Sequence, residues 1–133
     1  MAKAWVNGSF DVVHIGHIKL LEEAAKYGKV RVGLDSDRRI RERKGYTRPY
    51  NTLQDRYDHI LSFNMVSSIV TFDSDEELEN EIKAWAPDYM LVGDDYIHSK
   101  IIGAQFAKNI VIFTRIPNKS TSEILGYENT GNR

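Results

Sequence analysis

The sequence contains no cysteine. Disulfides, thiol catalysis and cysteine-ligated zinc are excluded with it. No apolar run approaches the ~18 residues that suggest a membrane span. Neither sign of charge is in excess: 18 Lys and Arg stand against 19 Asp and Glu, a formal net charge of -1. That balance argues against a general binder of nucleic acid or of membrane surfaces. Internal repeats and low-complexity stretches are missing too. What is there is a chain of 133 residues, 41% apolar and 28% charged. This is the mix of one soluble domain large enough to bury a real core. Met1-Ala2-Lys3 leads straight into a strand-like run without a signal-peptide pattern, so a cytoplasmic location is expected.

Hydrophobic periodicity alternates between strand and helix along the chain. Ala4-Trp5-Val6 reads as a strand stopped by Asn7-Gly8. Ile18, Leu21, Ala24 and Ala25 give a helix over 16–27, with Gly28 as its stop. Val30, Val32 and Leu34 alternate as a second strand, and Asp35-Ser36-Asp37 starts a short helix. Residues 43–51 read as a loop. Leu53, Tyr57, Ile60 and Leu61 are the expected buried stripe of a helix over 53–63. A strand over 68–72 precedes the capping box Ser74-Asp75-Glu76-Glu77, whose helix carries Leu78, Ile82 and Trp85 on one face and stops at Pro87. Strands follow at 89–92 and 110–113, with a short helix expected over 101–108 between them. Ser120-Thr121-Ser122-Glu123 is a second capping box, and the chain from Gly126 is a polar tail. The pattern predicts an α/β domain over 1–125 with a mainly parallel five-stranded sheet.

Ligands of such sheets bind beyond the carboxyl ends of the strands. Four segments fall there: Gly8 to His17, the loop after Leu34, Gly93-Asp94-Asp95, and Thr114 to Thr121. The first is the most informative: Gly8-Ser9-Phe10-Asp11-Val12-Val13-His14-Ile15-Gly16-His17. Its histidines stand three apart at a helix start and can face one pocket. Gly16 between them permits close backbone approach. The free N–H groups of a helix N-terminus favour a phosphate, and two imidazoles add donors that strengthen as charge builds on phosphorus.

This segment resembles the His-x-Gly-His signature of the nucleotidylyltransferase superfamily, in the form Gly-x-Phe-Asp-x-x-His-x-Gly-His of its cytidylyltransferase-like branch. The resemblance runs to about Leu125. Gly16-His17-Ile18-Lys19-Leu20-Leu21-Glu22 is similar to the glycerol-3-phosphate cytidylyltransferases. Lys44-Gly45-Tyr46-Thr47-Arg48-Pro49-Tyr50-Asn51 followed by Arg56, and Ile102-Gly103-Ala104 after Gly93-Asp94-Asp95-Tyr96, resemble the heptose-1-phosphate adenylyltransferases. Arg115 five residues before Ser120-Thr121 leans back to the cytidylyltransferases, and Ser122 departs from the second Thr common in both groups.

The resemblance implies a Rossmann-like three-layer α/β/α domain and attack by an acceptor phosphate oxygen on the α-phosphorus of ATP or CTP, with pyrophosphate leaving. The substrate supplies its own nucleophile, which suits a chain without cysteine. It implies catalytic roles for His14, His17 and Lys44. Nucleotide contacts are implied for Gly8, Ser9, Phe10, Asp11, Gly16, Gly93, Asp94, Arg115, Ser120 and Thr121, and acceptor contacts for Arg48 and Arg56. Arg56, four residues before Ile60, also borders a buried stripe and needs a partner or a cleft there. A plain turn at Gly93-Asp94 and a simple helix cap at Ser120 are the competing readings. Arg38, Arg39, Arg41 and Arg43 read as a solvated basic face, and His59 and His98 as surface residues. No Glu-Asp cluster has metal-ligand spacing, so Mg²⁺ is expected on the triphosphate and water. A sugar-1-phosphate adenylyltransferase of the heptose type leads, with a CTP:glycerol-3-phosphate cytidylyltransferase as the alternative. A nucleotide-binding module without catalysis is a second alternative. RNA binding through Arg38 to Arg48 fits poorly with a single aromatic, Tyr46, in that stretch. A homodimer is implied by the resemblance alone.

Overall fold

Residues 1–94 and 100–114 are described by a computed structural model. Arg115, Ser120, Thr121, the helix expected to follow them and the polar tail lie outside the described residues, as do Asp95, Tyr96 and His98. The chain runs β1 (Lys3–Gly8), α1 (Ile15–Tyr27), β2 (Lys29–Asp35), α2 (Asp37–Lys44), α3 (Leu53–Leu61), β3 (Val66–Phe72), α4 (Asp75–Trp85), β4 (Tyr89–Gly93), a 3₁₀ turn (Ala104–Phe106) and β5 (Asn109–Phe113). The five strands form one sheet in the order β3-β2-β1-β4-β5, and every pairing among them is parallel. This is the expected Rossmann-like architecture, with the order reversing direction beside β1.

Alternation along β1 builds both halves of the core. Ala4 and Val6 face α1 and α3, where they pack with Leu21, Ala24, Val32 and Ile60. Trp5 points to the other face, with Phe72, Leu78, Ile82 and Met90. A parallel sheet covered on both faces needs such near-continuous apolar strands.

Several expectations are corrected. β1 does not stop at Asn7-Gly8, because both residues pair in register with Gly33 and Leu34 of β2. A turn-prone dipeptide here extends the central strand. β3 begins at Val66, two residues before its expected start. In α1 the buried residues are His17, Leu20, Leu21 and Ala24, while Ala25 is exposed. In α3 Leu61 is 47% exposed and Arg56 is buried in the stripe with Ile60. The helix expected over 101–108 is reduced to the 3₁₀ turn. Gly103 sits at φ 82, and a Cβ there would stand 2.5 Å from Ile82 Cδ1. The segment is pressed onto α4 in a conformation that interrupts a helix.

Asp88, just before β4, anchors the start of β1. Its carboxylate accepts the Lys3 backbone N–H at 2.8 Å and pairs with Lys108 Nζ at 3.2 Å. The Lys3 N–H first, then Lys108, hold its pKa below the ordinary 3.8. A carboxyl depressed on folding stabilises the protein above its unfolded pKa and loses that contribution as pH falls through the folded value. Asp88→Asn is therefore expected to lower the denaturant midpoint at about pH 7, with a smaller gap to wild type at a pH below the ordinary 3.8. An equal gap at both pH values would refute the assignment.

Candidate active site

The loop from β1 to α1 ends in a cap made by two histidines. His14 is the N-cap residue of α1, and its Nδ1 accepts from the Gly16 N–H at 3.0 Å. His17, three residues on, returns the contact: its Nδ1 accepts from the His14 N–H at 3.1 Å. This is the geometry of a capping box, with imidazoles in both positions. A ring nitrogen that accepts an N–H carries no proton, so the proton of each neutral ring is on Nε2. The rings lie 4.1 Å apart between centroids, and Phe10 packs against His17 at 5.2 Å. Phe10 itself holds φ 49. A bulky residue is strained there by about 1–2 kcal/mol, so the surroundings must hold the loop in shape.

Two buried groups do this. Asp11, 2% exposed, accepts the Tyr50 and Asn51 backbone N–H groups at 2.8 Å each and Arg48 Nε at 2.9 Å. Asn51 Nδ2 also donates to the Asp11 carbonyl. The motif loop and residues 48–51 are thus bound into one unit. Arg56, 1% exposed, lies beneath. Its Nη1 donates to the carbonyls of Ser9 (2.9 Å) and Asp35 (2.8 Å). Nε donates to the Asn51 carbonyl (3.1 Å) and Nη2 pairs with Asp37 (2.7 Å). Arg56 clamps the ends of β1 and β2 and the start of α3, facing protein on every side. Arg48 differs. It is 8% exposed, stacks 5.2 Å from the Tyr50 ring, and has a buried Nη2 without a hydrogen-bond partner among the described residues.

Beside this unit, a pocket opens at the carboxyl ends of β1, β2 and β4. Asn7, Ser9, Asp35, Lys44 and Lys100 supply polar groups, and Ile40, Val92 and Ile101 an apolar wall. Lys44, at the end of α2, reaches back to Ser9 Oγ at 3.3 Å. Gly8 lines the pocket too; Gly93, buried, closes β4, and Asp94 follows it half-buried. The basic stretch of α2 is not one solvated face. Arg41 and Arg43 are exposed, as expected, and Arg38 pairs with Asp73 and Glu42 at the surface. Arg39 is buried between Asp35 and Asp75, each 2.7 Å away. Burial opposes its charge, but the hydrogen bonds to Asp75 and Asp35 outweigh that and raise its pKa.

His59 is exposed, as expected. Among the described residues no group of three His, Cys, Asp or Glu side chains is arranged to hold a metal ion, and no helix is long and apolar enough to cross a membrane. Asn7 was not among the residues marked by the sequence. The signal available was its place two residues after a buried tryptophan, on the same side of a strand.

Bifunctional protein HldE of Campylobacter fetus is 38% identical over 122 residues, covering 91% of this chain and 26% of that protein. Bifunctional protein HldE of Hyphomonas neptunium is 36% identical over 132 residues, covering 96% and 27%. The chain spans about a quarter of the length of these curated relatives. Among solved structures, a lipopolysaccharide core biosynthesis protein from Thermoplasma volcanium shares the fold at TM-score 0.68 and 20% identity, covering 87% of this chain and 97% of that one. Pantothenate synthetase from Thermus thermophilus does so at TM-score 0.68 and 11% identity, covering 96% and 62%. The family model described as cytidylyltransferase-like matches residues 5–124, from the central strand through the histidine cap and beyond β5, and the chain belongs to that family.

Proposed function

We propose that this chain is a nucleotidylyltransferase that moves a nucleoside monophosphate from ATP or CTP to a small phosphorylated sugar or polyol and releases pyrophosphate. The observation that carries the reading is the reciprocal cap of His14 and His17. It puts two Nε2–H donors together at the N-terminus of a 13-residue helix, where a phosphate is favoured and developing charge is stabilised. An acceptor phosphate oxygen forms the new bond to the α-phosphorus. The bond from that phosphorus to the bridging oxygen breaks, and its electrons leave with pyrophosphate. No protein nucleophile takes part, so catalysis is positioning and charge stabilisation.

In this reading His14, His17 and Lys44 act on the phosphates. Gly8, Ser9, Phe10 and Gly16 shape the loop around the triphosphate, with Gly93 and Asp94 toward the nucleoside. Arg115, Ser120 and Thr121 are assigned to the nucleotide on the family pattern alone. Arg48, whose buried Nη2 has no partner among the described residues, suits the acceptor phosphate. Asp11 and Arg56 hold the loops and are assigned no direct substrate contact, since their polar atoms are engaged by protein. Among the described residues the donor set is nitrogen-rich and lacks a carboxylate cage, which fits Mg²⁺ carried on the triphosphate. The ion would neutralise charge there.

The pattern Lys44-Gly45 to Arg56, together with the HldE relatives, favours ATP and a heptose-type sugar 1-phosphate. Arg115 before Ser120-Thr121 favours CTP and glycerol 3-phosphate, the second reading. The net charge of -1 is in keeping with partners other than nucleic acid or membrane, and a homodimer remains part of the proposal. Pyrophosphate release with ATP or CTP, against a panel of sugar 1-phosphates and polyol phosphates, is expected with ATP and a sugar 1-phosphate. Release only with CTP and glycerol 3-phosphate would select the second reading. Specific nucleotide binding without release for any pair would favour a non-catalytic module.

A further inference from the structure

Trp5 and Asn7 stand two apart on β1 and face the same side of the sheet. Trp5 is fully buried, and its indole Nε1 donates to Asn7 Oδ1 at 2.8 Å. An indole N–H only donates, so the amide atom it meets is the oxygen and the amide has one orientation. Space for the ring comes from Gly33, the register partner of Asn7 on β2: a Cβ there would stand 2.7 Å from Trp5 Cζ2 and 3.3 Å from Asn7 Cβ. Asn7 lines the pocket beside Ser9 and Lys44, and no described residue accepts from its Nδ2. The pocket therefore offers a fixed neutral donor, the Asp35 carboxylate, an ammonium and an apolar wall. That combination suits a molecule with hydroxyls, C–H faces and a phosphate more than it suits a bare anion.

We infer that the pocket beside the histidine cap takes the carbon skeleton of the acceptor and that Asn7 is its specificity-determining residue. Nδ2 donates to an oxygen of the acceptor's carbon skeleton, and Trp5 is the positioning residue that keeps the amide turned that way. The inference rests on the reading of the chain as an enzyme for phosphorylated sugars or polyols. Gly33 belongs to the same device, because a side chain there would displace the indole.

Calorimetric titration with D-mannose 1-phosphate, glycerol 3-phosphate and inorganic phosphate tests it on wild type, Asn7→Ala and Trp5→Phe. Wild type is expected to bind at least one organic phosphate more tightly than inorganic phosphate. Asn7→Ala should weaken that organic phosphate about 3- to 10-fold, the range of one neutral hydrogen bond, with inorganic phosphate within about 2-fold. Trp5→Phe retains Asn7 but frees its amide to turn, and should weaken the same ligand about 2- to 3-fold with inorganic phosphate again unmoved. Trp5→Phe also keeps the test open should Asn7→Ala fold poorly. Equal losses for organic and inorganic phosphate, no loss in either variant, or a wild type that does not discriminate would each overturn the role of Asn7. These outcomes are separable from failure of the functional reading. Discrimination lost in Asn7→Ala without pyrophosphate release from any wild-type pair would sink the enzyme and keep the binding residue. Wild-type release with an unchanged acceptor KM in Asn7→Ala would do the reverse.

Discussion

His17→Gln is expected to lower turnover about 100- to 1000-fold, the usual loss when a donor to developing charge is removed or displaced, while keeping the helix cap. Glutamine is an ordinary residue at the third position of a capping box. Its side-chain oxygen can accept the His14 N–H that His17 Nδ1 now accepts. The helix start is thereby kept, while the imidazole Nε2–H is replaced by an amide N–H on a group that cannot become a cation. His17→Ala removes both acceptor and donor and should lose about 1 kcal/mol of stability as well. Steady-state pyrophosphate release, with denaturant unfolding in parallel, separates the two effects. Near-normal turnover in folded His17→Ala would show that the histidine serves the helix and not the chemistry.

The largest effect on stability is expected at Arg56. Arg56→Met keeps much of the volume but strands the carbonyls of Ser9, Asp35 and Asn51, together with Asp37. Removing one side of a buried charged network costs about 3–5 kcal/mol, a large fraction of a small domain's total. Arg56→Lys keeps the charge but not the planar fork whose three nitrogens reach three carbonyls and a carboxylate, so it should recover only part of the loss. Denaturant midpoints measure both. If Arg56→Met unfolds within about 1 kcal/mol of wild type and instead raises only the acceptor KM, the clamp is wrong and the arginine contacts substrate.

The signals in the sequence that proved strong were periodic or tightly spaced. The helical period of α1, with Leu21 and Ala24 buried, the alternation of β2 and the His14–His17 interval each follow from local geometry, and each stands in the structure. Asn7-Gly8 misled because turn propensity is local, whereas the strand is continued by Gly33 and Leu34 on its neighbour. Arg39 reads as solvated until Asp75, thirty-six positions away in sequence, is brought to 2.7 Å. The position of Arg56, one turn before Ile60, already required a partner. That the partners are backbone carbonyls of two strand ends depends on the sheet order, which pattern alone does not supply. Asn7 escaped notice for the same reason: its meaning lies in the buried indole beside it and the glycine across from it.

The mutual histidine cap has a last consequence, for how the two residues can be counted. Each ring orders the backbone on which the other's orientation depends, so His14 and His17 are one object with two names. Their separate substitutions do not partition the chemistry between them, and the penalty for losing both should fall well short of the sum of the single losses. Scaffold and reaction centre share the same atoms here: the turn that starts α1 is itself the instrument that meets the phosphate.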